Sequence, residues 1–557
     1  MFEQALPSGS IFGALRDITL RAPDGVVTID AGVESPHCLT RRELLAKTGR
    51  LVGDLRSRGI VAGDCIGVWL PNWSDSLVWQ FAASALGAHV MGINTRYNVD
   101  ELVHVLDLAK PRVVAIAHDF VKLDLLSRFR QAIQQTTVAA PSVAVIAGPH
   151  RAAPGPDVIA AYDAGAGAWT PSTSTEVGAE DDGTWNTFED ALAVAFSTSG
   201  STGRPKLAAH TSRAVAVHAA AVAAAGDWQP GDVTLCALPL TGVFAFVPAM
   251  AAILSGGTCL LEPSFDPERI VADMGRYGVT HVIGADDIVA QLMEKWRAKP
   301  PAEAAWRRLL IADFNGRSLE VAQWAEDSLS VKVSGVYGSS ELFALAALWP
   351  LGTESPRRWR GGGALVSPAM EVRCADPDSN ETMAVGEAGE LQFRGYNVVD
   401  DYLGAPGMRP TQLTADGWFR TGDLGVLHAN DTFDFVCRMG DSLRLKGFLV
   451  EPAEIEARIG EFPAVELVKV VGLRLDSGQT EAVAFIQLRK GAAALPGAIQ
   501  EWCAQGLARH KVPRTVHFVE AMPTTSGVNG TKIRTAELRQ WAQESEAGLS
   551  AFTLSRN

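Results

Sequence analysis

Between residues 39 and 121 the chain alternates stretches of helical amphipathic period (42–58, 74–86, 100–108) with short apolar runs (65–70, 112–117). That alternation leaves few options. A short apolar run is buried on both faces only if helices cover it, which is the arrangement of stacked βα units on a mainly parallel sheet. A second series of the same kind runs from residue 190 to about 345, and residues 152–182, rich in Ala, Gly, Pro, Ser and Thr, read as a surface connection between the two. Beyond Gly361 the pattern changes to short strands and turns (389–394, 432–437), which predicts a smaller β-rich subdomain. After Arg438 follows a tail with a helix near 451–459, a hairpin-like pair 465–473 and 481–488, and a further helix near 497–509. That tail is long enough to fold alone. The expected fold class is α/β: a large N-terminal domain of stacked αβ sheets plus a β-rich subdomain, then a small C-terminal α+β domain.

Charge narrows the functions open to such a chain. With 49 Lys+Arg against 63 Asp+Glu, a net charge of −14, and no basic block, a general binder of nucleic-acid backbone is disfavoured. Between Asp232 and Glu262 no residue is charged, but Pro239, Pro248, Gly242, Gly256 and Gly257 divide the stretch, so it reads as buried core and not as a membrane span. The seven cysteines are scattered without a CxxC pair and read as small buried hydrophobes. None of the 11 histidines clusters with cysteine at ligand spacing, so no transition-metal site is expected. The first residues lack a basic segment followed by an apolar core, so a cytoplasmic location is the default expectation.

The strongest local signal begins in the apolar run Ala195-Phe196-Ser197 and continues as Thr198, Ser199, Gly200, Ser201, Thr202, Gly203, Arg204, Pro205 and Lys206. Glycines let backbone N–H groups approach phosphate oxygens, the hydroxyls add donors, and Lys206 adds positive charge. A loop of this kind can wrap a triphosphate. It lacks the Gly-Lys-Ser/Thr ending of a Walker loop, so an NTPase of that type is disfavoured, and its tight fit between an apolar strand and the Ala-rich helix expected near Thr211 argues against a flexible linker.

This loop resembles the signature of the adenylate-forming superfamily, which includes acyl-CoA synthetases, firefly luciferase and the adenylation domains of peptide synthetases. Four further segments follow in that family's order: Val336-Tyr337-Gly338-Ser339-Ser340-Glu341; Gly417-Trp418-Phe419-Arg420-Thr421-Gly422-Asp423; Arg438 through Gly447 leading to Glu451-Pro452-Ala453-Glu454; and Asn529-Gly530-Thr531-Lys532-Ile533. The resemblance, most like a stand-alone acyl-CoA ligase, covers nearly the whole chain. It implies that residues 198–206 hold the ATP phosphates, that Tyr337 offers an aromatic face to the purine with Gly338 and Ser340 beside it, and that Glu341 holds Mg²⁺, a cation that prefers hard oxygen ligands. It assigns the ribose to Asp423 and Arg438. Lys532 would enter from the small domain to supply charge at the reacting centre. The implied division is residues 1–437, a hinge at 438–441 with Gly440 as its permissive pivot, and a mobile small domain at 442–557, where Lys446 and Gly447 would lie near the CoA thiol.

Departures from the family pattern concentrate around the acid. Leu207 and Ser212 replace its usual Gly and His after the loop, Leu240-Thr241-Gly242-Val243-Phe244 replaces an aromatic-His pair, and Asp313-Phe314-Asn315-Gly316 replaces a Gly-Gly-Ala-Pro turn. The expected acid pocket is formed by Gly242, Val243, Phe244 and Phe314, which favours a fatty, alicyclic or aromatic acid. The resulting expectation is an ATP-dependent carboxylate:CoA ligase with ATP, Mg²⁺ and CoA. The alternatives are an acyl-AMP ligase loading a separate carrier protein and an inactive nucleotide-binding regulatory homologue. Small molecules are the expected partners, with no nucleic acid and no membrane span, and a homodimer is compatible with the sequence.

Overall fold

The computed structural model describes residues 9–32, 36–149, 168–171, 188–198, 206–404, 412–439, 443–445, 448–450, 452–475, 480–527 and 530–546. Two extended sheets dominate. In the first, Lys332–Tyr337, Arg308–Ala312, His281–Ala285, Val233–Cys236, Thr258–Leu261 and Val26–Asp30 lie side by side and parallel, with His37–Thr40 antiparallel at the edge. The second places Leu192–Ser197, His89–Gly92, Cys65–Trp69, Val113–Ala117, Ser142–Ile146 and Ala168–Trp169 in parallel order. Beside Leu192–Ser197 the antiparallel strands Leu207–Thr211 and Asp401–Tyr402 complete it.

The elements form where the sequence pattern requires them. Helices Arg41–Ser57 and Val99–Ala109 each open on a capping box, Thr40 with Glu43 and Asn98 with Glu101, which satisfies N–H groups that the first turn cannot. Helix Ser74–Leu86 stops at Gly87, whose φ of 69° is open to glycine at little cost. The uncharged stretch resolves into strand Val233–Cys236, helix Val243–Leu254 and strand Thr258–Leu261. That helix is buried along nearly its whole length and packs with Ser212–Gly226 in a core that includes residues of both sheets. No helix among the described residues is long and apolar enough to cross a membrane. Six of the seven cysteines are buried as expected, but Cys38 is exposed on the edge strand.

The β-rich region is continuous with the first sheet. From Lys332–Tyr337 the ladder turns antiparallel through Ala347–Leu348, Gly362–Leu365, Thr432–Arg438, Phe419–Leu427, Ala388–Gly395 and Met370–Ala375. Hydrogen bonding to a parallel edge removes what would otherwise be an exposed strand, while a separate apolar cluster around Phe393, Phe419 and Phe433 gives the region its own core.

In the small C-terminal domain, strands Val465–Arg474 and Thr480–Leu488 pair antiparallel, and Thr515–Phe518 joins them in parallel. The period-2 pattern sorts the two faces. Val470, Ala482, Ala484 and Ile486 pack under helices Pro452–Gly460 and Pro496–Gly506, whereas Val471, Leu473, Val483 and Phe485 pack under helix Thr535–Glu546.

Candidate active site

Strands Leu192–Ser197 and Leu207–Thr211 are antiparallel neighbours, and the N–H of Thr198 donates to the carbonyl of Lys206 at 2.8 Å. This bond joins the two ends of the segment expected to hold phosphates. Ser199, Gly200, Ser201, Thr202 and Gly203 lie outside the described residues. The helix expected near Thr211 starts there, with Thr211 capping Ser212–Gly226, and a strand the sequence did not announce, Leu207–Thr211, lies between Lys206 and it. The intervening strand pairs with Asp401–Tyr402, bringing Tyr402 opposite Ala208. Lys206 Nζ sits 5.0 Å from the centre of the Tyr402 ring. Burial, and then the adjacent Glu341 carboxylate, push the Tyr402 phenol well above its ordinary range. Lys206, Tyr402 and Glu341 therefore meet at the foot of the loop.

Asp423 is the centre of a second group. It is buried, its Oδ2 accepts from the Tyr337 hydroxyl at 2.7 Å, and its Oδ1 accepts from Arg438 Nη1 at 2.8 Å. Asp423 and Arg438 are cross-strand partners on adjacent antiparallel strands, while Tyr337 ends strand Lys332–Tyr337, which Ala347–Leu348 and Gly362–Leu365 separate from them in the order of the same sheet. The Tyr337 ring stacks on Phe393 at 5.6 Å and meets Phe433 edge-on at 5.3 Å. Only 7% of Tyr337 is exposed, so it orients Asp423 and offers no open ring face of the kind expected for a purine. Close packing explains Gly338, where a Cβ would lie 2.7 Å from backbone atoms of Ala344 and Leu345. Ser340 is buried beside it.

The acid segment is fixed from two sides. Asn72 donates through Nδ2 to the carbonyls of Cys236 and Leu238 at 2.9 and 2.8 Å, and its Oδ1 accepts from the Leu240 N–H at 2.9 Å. Gly242 is the N-cap of helix Val243–Leu254 with φ of −109°, a backbone any residue adopts. Val243 and Phe244 are buried, and the Phe244 and Phe314 rings stand 6.3 Å apart. Phe314 belongs to a loop that Asp286 gathers: its carboxylate accepts N–H groups of Phe314, Asn315 and Arg317 at 3.1, 3.0 and 2.8 Å. Burial and the neighbouring Asp313 push the Asp286 carboxyl up to about 7.

Of the residues assigned to the small domain, Lys532 lies on strand Gly530–Ile533, opposite Thr525 in a two-stranded ribbon. The backbone of that strand comes within 8 Å of helix Asp286–Ala298, the helix that anchors the Phe314 loop. Gly440 and Lys446 fall outside the described residues. Sequence reasoning did not find Asn72, Asp286 or Tyr402. Each is a single polar residue in an otherwise ordinary segment, and only Asp286, at the start of a helical pattern, carried any local signal.

A half-buried carboxylate beside Tyr402 and a second, buried carboxylate clamped between Tyr337 and Arg438 are set in an α/β enzyme fold with a small C-terminal domain. The chain belongs to the AMP-binding enzyme family, whose model matches residues 17–403, and the AMP-binding enzyme C-terminal domain matches 454–527. It is 27% identical over 505 residues to a feruloyl-CoA synthase of Amycolatopsis sp, spanning 90% of this chain and 94% of that one. It is likewise 27% identical over 533 residues to 4-coumarate–CoA ligase 2 of Oryza sativa subsp. japonica, spanning 93% and 90%. The structure of ATP-bound MatB from Rhodopseudomonas palustris shares the fold with a TM-score of 0.79 at 23% identity, covering 96% of this chain and 99% of that one.

Proposed function

We propose that this enzyme is an ATP-dependent carboxylic acid:CoA ligase acting through an acyl-adenylate on an apolar acid. The observation that carries the reading is the meeting of the sequence motifs in two carboxylate groups: Asp423 between Tyr337 and Arg438, and Glu341 beside Tyr402 and Lys206 at the foot of the phosphate loop. A carboxylate is a poor acyl donor because its charge is delocalised and oxide is a bad leaving group. In-line attack of the acid on the α-phosphorus releases pyrophosphate and turns that oxygen into part of AMP, a good leaving group. The CoA thiol then attacks the acyl carbon, and the C–O bond to AMP breaks.

In this reading residues 198–206 hold the phosphates, while Asp423 and Arg438 hold the ribose hydroxyls. Glu341 would hold Mg²⁺; one half-buried carboxylate suits a cation that keeps phosphate and water ligands. When bound, that ion supplies charge neutralisation on the phosphates. Lys532 stabilises the α-phosphate and the attacking carboxylate, and the approach of its strand to helix Asp286–Ala298 supports a small domain turned toward the acid. Rotation about Gly440 would then withdraw Lys532 and bring Lys446 near the thiol. The paired rings of Phe244 and Phe314 favour an apolar acyl body.

The test is pyrophosphate release over a panel of fatty, alicyclic, aromatic and short polar acids, with and without CoA. Acid-dependent pyrophosphate with CoA-dependent AMP and thioester is the expected result. Adenylate that transfers only to a phosphopantetheinyl carrier moves the acceptor from CoA to protein, and no pyrophosphate with any acid defeats the enzymatic reading.

A further inference from the structure

Just beyond Glu341 the backbone adopts a conformation that L-residues resist. Phe343, Ala344 and Leu345 have φ of 57°, 48° and 37°, three consecutive left-handed residues of which none is glycine. Such a turn persists only where its surroundings hold it. The carbonyl of Ser340 accepts from His210 Nε2 at 2.8 Å and that of Ala344 from His218 Nε2 at 2.9 Å. The carbonyl of Glu341 itself accepts from the Val399 N–H at 2.7 Å, and that of Leu342 from Asn397 Nδ2 at 3.0 Å. The Phe343 ring fills the space between the imidazoles, 4.5 Å from His210 and 5.4 Å from His218.

A carbonyl can only accept, so both imidazoles carry their proton on Nε2. The His218 Nδ1 then faces the Tyr396 hydroxyl at 3.3 Å, and the His210 Nδ1 is buried without a partner among the described residues. Both rings are fully buried, and burial pushes them down to about 4, so they serve as neutral donors at physiological pH. Their place in the chain matters. His210 lies on strand Leu207–Thr211, which returns from the phosphate loop, and His218 on the helix that follows it.

We propose that His210 and His218 are positioning residues of the nucleotide site: by holding the left-handed turn 343–345 they keep the Glu341 carboxylate beside Tyr402, on which Lys206 rests. The assignment rests on the reading that Glu341 faces Mg·ATP. Neither histidine touches substrate. Removing a donor leaves a buried carbonyl unpaired and lets the turn relax toward right-handed backbone, carrying Glu341 away from Tyr402 and Lys206.

Calorimetric titration of the full chain with ATP, at graded Mg²⁺ and in EDTA, tests this on wild type, His210→Leu, His210→Gln and His218→Leu, with melting temperatures alongside. Both Leu variants should bind MgATP about tenfold more weakly and need more Mg²⁺ for half-maximal binding, with metal-free ATP binding little changed. Gln, which keeps an N–H donor, should recover most of the affinity. A lowered melting temperature with unaltered MgATP affinity and Mg²⁺ dependence in the folded fraction overturns the positioning role and leaves the functional reading intact. A wild type that binds no MgATP overturns that reading and this assignment with it. Should His210→Leu fail to fold, His218→Leu and Asn397→Ala carry the same comparison.

Discussion

Asp423 receives the Tyr337 hydroxyl and the Arg438 guanidinium on different oxygens, and its N–H donates to the Thr421 hydroxyl at 3.0 Å. If this carboxylate holds the ribose as proposed, it is preorganised for it, so loosening it should weaken nucleotide binding before anything else. Tyr337→Phe removes one hydrogen bond and little volume; we expect KM for ATP to rise about threefold to tenfold with KM for the acid unchanged. An effect confined to the acid would break the link. The buried histidines allow a second prediction. His210 titrates near 4 in the folded chain against 6.5 in the unfolded one, so between these values the unfolded state binds more protons and stability falls as pH drops from 6.5 toward 4. Glu262 and Asp286, whose carboxyls burial raises to about 7, act in the opposite sense, losing their contribution as pH rises. The total slope is therefore mixed, and the informative quantity is a difference. Denaturant midpoints of His210→Gln should fall less than those of wild type between pH 7 and 5, by up to roughly 2 kcal/mol in stability. Identical profiles would sink the neutral-donor assignment. At this scale the motif Thr421-Gly422-Asp423 announces its carboxylate in the sequence, but the Tyr337 partner is 86 residues away and leaves no local trace.

Helix Val243–Leu254 is where element and specificity meet. Its N-cap is Gly242, and because φ there is −109° the glycine is not required for backbone reasons. On the proposed assignment of Gly242 to the acid pocket, the missing side chain leaves space for the acyl body. Gly242→Ser, which places a good capping residue, should leave the melting temperature near that of wild type. Gly242→His should lower kcat/KM for bulky acids far more than for short ones, by ~1–3 kcal/mol in transition-state terms. Loss that is independent of acid size and tracks a lower melting temperature would return Gly242 to a structural role. The elements themselves were largely legible: helices Arg41–Ser57 and Val99–Ala109 bury one face as their period predicts, and the pair Val465–Arg474 and Thr480–Leu488 forms where expected, whereas helix Ser74–Leu86, read as amphipathic, is buried on all sides between its neighbours. Strand Leu207–Thr211 was not, since Leu-Ala-Ala-His-Thr runs directly into an Ala-rich helix and only pairing with Leu192–Ser197 makes it extended.

For the whole molecule the open variable is how the small domain meets the large one during two chemical steps. On the proposed role of Lys532, the nearness of its strand to helix Asp286–Ala298 corresponds to the adenylation step. Lys532→Ala should reduce acid-dependent pyrophosphate release by about two orders of magnitude or more, as removal of a transition-state donor does. Thioester formation from supplied acyl-adenylate should change little. Equal losses in the two half-reactions, measured by single turnover, would show that Lys532 does not act in the first step alone.

The sequence by itself determined the α/β class, the two sheet-forming series, the small domain and the order of the motifs, because helix period, strand alternation and turn chemistry are local and repeat within a few residues. Only the tertiary structure decided that the β-rich region extends the first sheet, that Asn72 and Asp286 hold the segments around Leu240 and Phe314, and that two histidines grip the turn after Glu341. Those bonds join residues far apart in the chain, 168 positions in the case of Asn72 and Leu240. A buried carbonyl or N–H must find a partner wherever the packed core brings one, and no period along the chain records which residue that is.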